Sequence, residues 1–182
     1  LIDAALNDAT GDEILLIQNE TSGNEAAIRQ AKAKGLQVAF NMAPMNANAR
    51  ALPLALIDYF IINETEGEAL TGKTEPSEIC DAVLDQYPHS AGVLTLGPAG
   101  VLFRTAERNL SQPAYPVETV DTTGAGDTFT GYFLATLMKT KQVELALQTA
   151  AAAAALSVTQ PGAATSIPTL HDVNQFLATR AS

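Results

Sequence analysis

The chain has 182 residues, 47% hydrophobic but only 5% aromatic and without Trp, which suits one domain with an Ala/Leu/Val/Ile-rich core of the α/β kind. Its net charge of −10 argues against non-specific nucleic-acid binding, which needs a basic face. A single cysteine, Cys80, excludes an internal disulfide, and neither a signal peptide nor an apolar run of spanning length is visible.

The first residues, Leu1-Ile2-Asp3-Ala4-Ala5-Leu6, already read as the inside of a helix with no initiator Met, so a piece of a longer protein is expected. A short apolar run at 13–20 reads as a buried strand. A helix is predicted over 24–34 with Gly35 as its stop, then a strand over 36–41 and a loop over 44–50. A third strand is predicted at 56–62, followed by a short helix over 64–70 closed by Gly72. Pro76 opens the next helix, through Ile79, Val83 and Leu84, and Cys80 falls in its apolar pattern as a core residue. A strand at 92–97 is followed so closely by 101–103 that the two are expected to be antiparallel. Helices are predicted at 127–138, 143–157 and 170–178. The alanine run at 150–155 is too short and too weakly apolar to span a bilayer. No membrane or nucleic-acid partner is expected, and a reducing, cytoplasmic setting fits.

Strands alternating with helices imply a mostly parallel sheet covered on both faces, a three-layer α/β/α fold. Neither a repeat nor a linker breaks the chain, so 1–182 reads as one domain. Ligands on such sheets bind beyond the carboxyl ends of the strands. Glu20, Asn41, Asn63 and the segment 95–100 fall there.

The stretch Val120-Asp121-Thr122-Thr123-Gly124-Ala125-Gly126-Asp127-Thr128-Phe129 organises the rest. A Gly-Ala-Gly turn running into a helix leaves backbone N–H groups unpaired at the positive end of the helix dipole, an anion site. Asp127 sits in or beside the first turn. Donors that stabilise a moving phosphoryl group, with an aspartate to take the proton of the attacking hydroxyl, suit phosphoryl transfer. A plain glycine turn, with Asp127 as a dipole partner, explains the same residues.

Other segments are open in the same way. Asn63 and Glu66 lie three apart at a helix start, where a carboxylate can hold magnesium; an Asn N-cap with acidic first-turn residues is the commoner explanation. Thr95-Leu96-Gly97-Pro98-Ala99-Gly100 is by itself a tight turn, and the run 157–166 a proline-glycine turn after a helix. Gly67-Glu68-Ala69-Leu70-Thr71-Gly72-Lys73-Thr74 fits the phosphate-loop pattern, as a P-loop NTPase would carry it. That loop needs a strand immediately before it, and here 63–66 intervenes with Glu66 and Glu68 bringing negative charge.

Asp-Thr-Thr-Gly-Ala-Gly-Asp-Thr-Phe at 121–129 resembles the C-terminal signature of the ribokinase-like (PfkB) carbohydrate kinases. The resemblance covers essentially the whole chain, as the C-terminal three-fifths or so of such a kinase. It implies a ribokinase-like core without its N-terminal part and lid, and an ATP-dependent phosphotransferase acting on a hydroxyl of a small sugar. Asp127 would be the general base, also touching the sugar, and Gly124, Ala125 and Gly126 the anion hole. Asn63 and Glu66 match the family's Asn-x-x-Glu motif, which serves magnesium and phosphates. Thr95, Gly97 and Gly100, with Thr123, would lie against the nucleotide. Asp121, Thr123, Ser157, Gln160, Gly162 and Ser166 would cage a monovalent cation of the potassium kind. Glu20 matches a sugar-contacting acid, or else is a solvated strand end.

One departure is Ala150 and Ala151, where the family often has Asn or His beside the adenine. Within the family, the Leu16-Ile17-Gln18-Asn19-Glu20 and Asn41-Met42-Ala43-Pro44 segments are nearest to ribokinases, with fructokinase, ketodeoxygluconate kinase and nucleoside kinase open. Family members carry most sugar contacts, and a β lid that often dimerises, in an N-terminal part. This chain alone is therefore expected to be nearly inactive, and a homodimer to form, if at all, through that lid. A non-catalytic nucleotide-binding or regulatory module is the rival from another class.

Overall fold

A computed structural model of the chain describes residues 2, 6–19, 21–43 and 46–180. Packing divides the chain into two compact units, Leu1–Thr95 with Leu102–Leu110, and Leu96–Val101 with Ser111–Ser182.

The first unit is built on a sheet in the order β1 (Ile14–Gln18), β2 (Gln37–Asn41), β3 (Tyr59–Asn63), β4 (Ala91–Thr95), β5 (Val101–Arg104), β6 (Asn109–Gln112). The first four strands pair in parallel, with Ile14 beside Gln37, Ala39 beside Tyr59 and Tyr59 beside Ala91. Parallel strands need helical crossovers, and the chain supplies α1 (Asn24–Ala33), α3 (Glu64–Thr71) and α4 (Pro76–Gln86). Strands covered this way read as near-continuous apolar runs. Val38, Ala39, Phe40, Phe60, Val93 and Leu94 are accordingly buried. The α/β class and the parallel core of the sheet are as expected.

Gly35, at φ 80°, turns the chain after α1, and Gly72, at φ 75°, closes α3. Cys80 is buried in α4, where burial pushes its thiol up to about 11. It is an inert core residue.

Three expectations need correction. The segment expected as loop holds a one-turn helix, α2 (Ala47–Arg50), because the Asn46 side chain accepts from the Ala49 N–H at 3.1 Å. The strand expected from 56 starts at Tyr59, after a 3-10 turn at Leu54–Leu56. Asp58 explains the late start. Its carboxylate accepts from the Val38 N–H at 2.6 Å and from Lys32 Nζ at 2.8 and 2.9 Å, so the residue docks on β2 before the ladder begins. Finally, β6 was not expected: it is short, with three polar residues of four, as suits a sheet edge.

The second unit holds α5 (Ala125–Thr140), α6 (Val143–Ser157) and α7 (Leu170–Ala178). The last two match their predicted bounds. α5 starts two residues before the predicted Asp127, because Gly124 takes the left-handed conformation at φ 76° and serves as the N-cap. Small side chains let α5 and α6 lie close, with Ala146, Ala150, Ala152 and Ala153 fully buried. Ala152, Ala153 and Val173 form a cluster against which Tyr115, Tyr132, Leu156, Phe176 and Leu177 pack. Among the described residues, no helix is long and apolar enough to cross a membrane.

Candidate active site

Candidate residues fall in both units. In the second unit the chain runs through Asp121 and Thr123 into the left-handed Gly124 and then α5. The first amides of an α-helix have no carbonyl one turn back. Here the Ala125 N–H turns to the Thr122 carbonyl at 3.2 Å, and helical pairing begins with Thr128 N–H to the Gly124 carbonyl at 2.8 Å. Gly126 and Asp127 are exposed at the helix start. A Cβ on Gly126 would meet nothing within 4 Å, so the fold does not require glycine there. Gly124 is constrained on two counts: its φ is positive, and a Cβ would come within 3.2 Å of Ala163.

Asp121 stitches this turn to the loop after α6. One carboxylate oxygen accepts from the Thr123 N–H at 2.9 Å and the Thr123 hydroxyl at 2.7 Å. The other accepts from the Gly162 N–H at 2.9 Å. These bonds, that from Gly162 foremost, hold the Asp121 carboxyl down to about 2, so it is fully ionised at neutral pH. The Val158 carbonyl accepts from both Val120 and Asp121 N–H, at 2.8 and 3.2 Å. Ser157, at the end of α6, and Ser166, in the loop after it, are buried and donate to the Ala154 and Ala163 carbonyls, each at 2.9 Å. Their hydroxyl protons are thereby spoken for and their oxygen lone pairs remain. Of the six oxygen-bearing candidates, the structure joins Asp121, Thr123 and Gly162 directly, while Gln160 is exposed.

In the first unit, Asn63 ends β3 and caps α3. Its side-chain oxygen accepts from the Glu66 N–H at 2.9 Å, and Glu66 accepts back from the Asn63 N–H at 3.0 Å and side-chain amide at 3.2 Å. The N-cap explanation therefore holds as geometry. Glu66 is nonetheless buried, and burial pushes its carboxyl up against those bonds. Thr95 ends β4 with its hydroxyl on the Ile62 carbonyl at 3.3 Å. In the second unit, Gly97 begins a 3-10 turn at φ 52°, and Gly100 sits at φ 107°. A Cβ on Gly100 would fall within 2.8 Å of the backbone at Pro113 and Ala114, so this turn is glycine for the fold's sake. Glu20 lies outside the described residues. On either side of it, Asn24 closes the segment by donating to the Gln18 carbonyl at 2.7 Å and accepting from the Thr21 hydroxyl at 2.9 Å.

The segment with the phosphate-loop pattern is not a loop. Gly67 to Thr71 are helical, Gly72 is the C-cap, and Lys73 is exposed with Glu78 3.8 Å away. Gly67 is glycine because a Cβ would meet Ile79 Cγ2 at 2.6 Å. Sequence reasoning missed Tyr132, whose hydroxyl donates to the Pro168 carbonyl at 2.6 Å. Its trace in the sequence is a phenol among the apolar residues Phe129, Phe133 and Leu134 of α5.

Comparison with known proteins gives the family. Residues 9–170 match the description pfkB family carbohydrate kinase. The chain is 39% identical over 171 residues to the ribokinase of Haemophilus influenzae, covering 91% of this chain and 56% of that one. It superposes with a TM-score of 0.80 and 34% identity on Arabidopsis thaliana ribokinase complexed with ribose and ATP, covering 90% of this chain and 55% of that one. A putative ribokinase II from E. coli in complex with ATP and Mg2+ gives a TM-score of 0.84 at 25% identity, over 97% of this chain and 61% of that one. The chain thus spans little more than half the length of these relatives.

Proposed function

Because the chain belongs to the pfkB family of carbohydrate kinases, we propose that it is the phosphoryl-handling part of an ATP-dependent kinase that phosphorylates a hydroxyl of a small sugar. The observation that carries this reading is the glycine-led entry to α5. Gly124 turns the chain, Gly126 leaves open space the fold does not need, and Asp127 stands in the first helical turn. The amides of the Gly124-Ala125-Gly126 turn stabilise negative charge on the γ-phosphoryl group. Asp127 takes the proton of the sugar hydroxyl as its oxygen bonds to phosphorus and the bond to the ADP oxygen breaks. Likeness to a ribokinase at 39% identity favours a pentose as the acceptor.

Asn63 and Glu66 are assigned to the magnesium that accompanies ATP. Both Glu66 oxygens already accept from Asn63, so the pair suits an ion that keeps its water shell. Bound magnesium would neutralise charge on the β- and γ-phosphates. Thr95, Gly97, Gly100 and Thr123 are assigned to the nucleotide. Asp121, Thr123, Ser157, Gln160, Gly162 and Ser166 are assigned to a monovalent cation. The donor set fits: one carboxylate held ionised, and two buried hydroxyls whose protons point elsewhere. Such a cation would fix the loop beside the anion hole.

The test is turnover by the full-length protein containing this chain, with Mg-ATP and a panel of pentoses, hexoses and nucleosides. Sugar-dependent ADP release, greatest with a pentose, is expected. No release above background with any acceptor would sink the kinase reading.

A further inference from the structure

The 158–168 loop is tied to the stretch that bears the anion hole at three points. At its start the Val158 carbonyl accepts from Val120 and Asp121. In its middle the Gly162 N–H donates to Asp121. At its end the Pro168 carbonyl accepts from the Tyr132 hydroxyl, the shortest of these bonds at 2.6 Å. The first two ties come from residues ahead of α5. The third comes from within that helix, past Asp127 by about 7.5 Å along the axis.

The Thr169 N–H and hydroxyl both serve Asp172 in the cap of α7. A cavity of about 220 Å³ lies against the loop, lined by Leu156, Thr159, Gln160, Ser166, Pro168 and Asp172 among others, so packing is incomplete on that side. Hydrogen bonds fix its course at the three points named. The Tyr132 ring is fixed independently, packed on the Ala152, Ala153 and Val173 cluster. Burial pushes its phenol up, with Asp172 adding to the shift, so it stays a donor at working pH. Pro168 is separated only by Ile167 from Ser166, whose oxygen belongs to the assigned cation set.

We propose that Tyr132 is a positioning residue: by holding the Pro168 carbonyl, its hydroxyl sets the end of the 158–168 loop and thereby the affinity of that loop for a monovalent cation. This rests on the cation reading of the loop given above.

Tyr132→Phe removes the tie and keeps the ring. In the full-length protein, two potassium titrations are compared at constant ionic strength, with tetramethylammonium as the replaced cation: sugar-dependent ADP release, and melting temperature without substrates. Removing one ordinary hydrogen bond should raise the half-saturating potassium concentration roughly three- to tenfold in both, with kcat at saturating potassium within about twofold of wild type. Phe176→Leu, which loosens the same cluster and touches no loop carbonyl, should lower the melting temperature without moving the potassium midpoint. A wild type that responds to potassium beside a Tyr132→Phe variant with an unmoved midpoint overturns the inference and leaves the cation reading standing. An equal shift in Phe176→Leu overturns it too, since general loosening would then explain the effect. A wild type neither activated nor stabilised by potassium overturns the cation reading and this inference with it.

Discussion

Asp121 and Asp127 flank one glycine turn, and their surroundings suit them to opposite work. Asp121 accepts three hydrogen bonds, two from Thr123 and one from Gly162, and is held as an anion that joins two segments. Its folded-state carboxyl titrates near 2, below the ordinary range near 4. A depressed carboxyl contributes stability that is present above the ordinary range and is lost as pH falls through the folded value. The Asp121 tie to Gly162 should therefore open between about pH 4 and pH 2 and stay intact above that window. The Gly162 amide signal, followed by NMR through the titration, reads this; a tie that opened already near pH 6 would contradict the assignment. Asp127, exposed at the start of α5, is the residue read as the base. Asp127→Asn keeps its size but cannot take a proton. In the full-length kinase kcat should fall by ~100- to 10,000-fold with nucleotide affinity little changed. A variant keeping more than about a tenth of wild-type kcat would remove Asp127 from that role.

The glycines separate what the elements need from what a ligand needs. Gly67 is packed against Ile79 where α3 meets α4. Gly67→Ala should destabilise by about 1–3 kcal/mol in a denaturant melt, less whatever Ile79 recovers by moving. Gly126 has open space around it. Gly126→Ala should leave stability within about 1 kcal/mol of wild type, since alanine favours a helix. Its methyl would crowd the turn, so nucleotide affinity should drop by about tenfold or more. Equal affinity would mean that no phosphoryl group approaches there. Much of this was legible in the sequence, because glycine, proline and cap residues act locally. The start of α7 after the Thr169 cap, the stop at Gly72 and the start at Pro76 follow from such signals. The late start of β3 was not legible, because it depends on Asp58 meeting Val38 and Lys32, which are distant in sequence. The Tyr132 bond to Pro168 was hidden for the same reason. The motif at 121–129 gave the candidate site, but only the fold shows that Asp121 reaches Gly162.

At the scale of the whole molecule, the chain spans 56% of a ribokinase to which it is 39% identical. The residues assigned to phosphate, nucleotide and cations all lie within it, whereas besides the base Asp127 its candidate sugar contact is Glu20 alone. Binding and turnover should therefore come apart. Holding two reactants in line contributes as much as about 7–11 kcal/mol to a barrier, and a water-excluded site adds to the stabilisation of charge. A chain that engages ATP without fixing the acceptor forgoes both. The 182-residue chain alone should bind ATP, yet release ADP in the presence of ribose at under about a thousandth of the rate of the full-length protein, a loss of roughly 4 kcal/mol out of that range. Calorimetric titration with ATP and a coupled ADP assay on the two proteins side by side measure this. Equal turnover would show that this chain holds the acceptor unaided, and would move the sugar site into the loops that end β1 and β2.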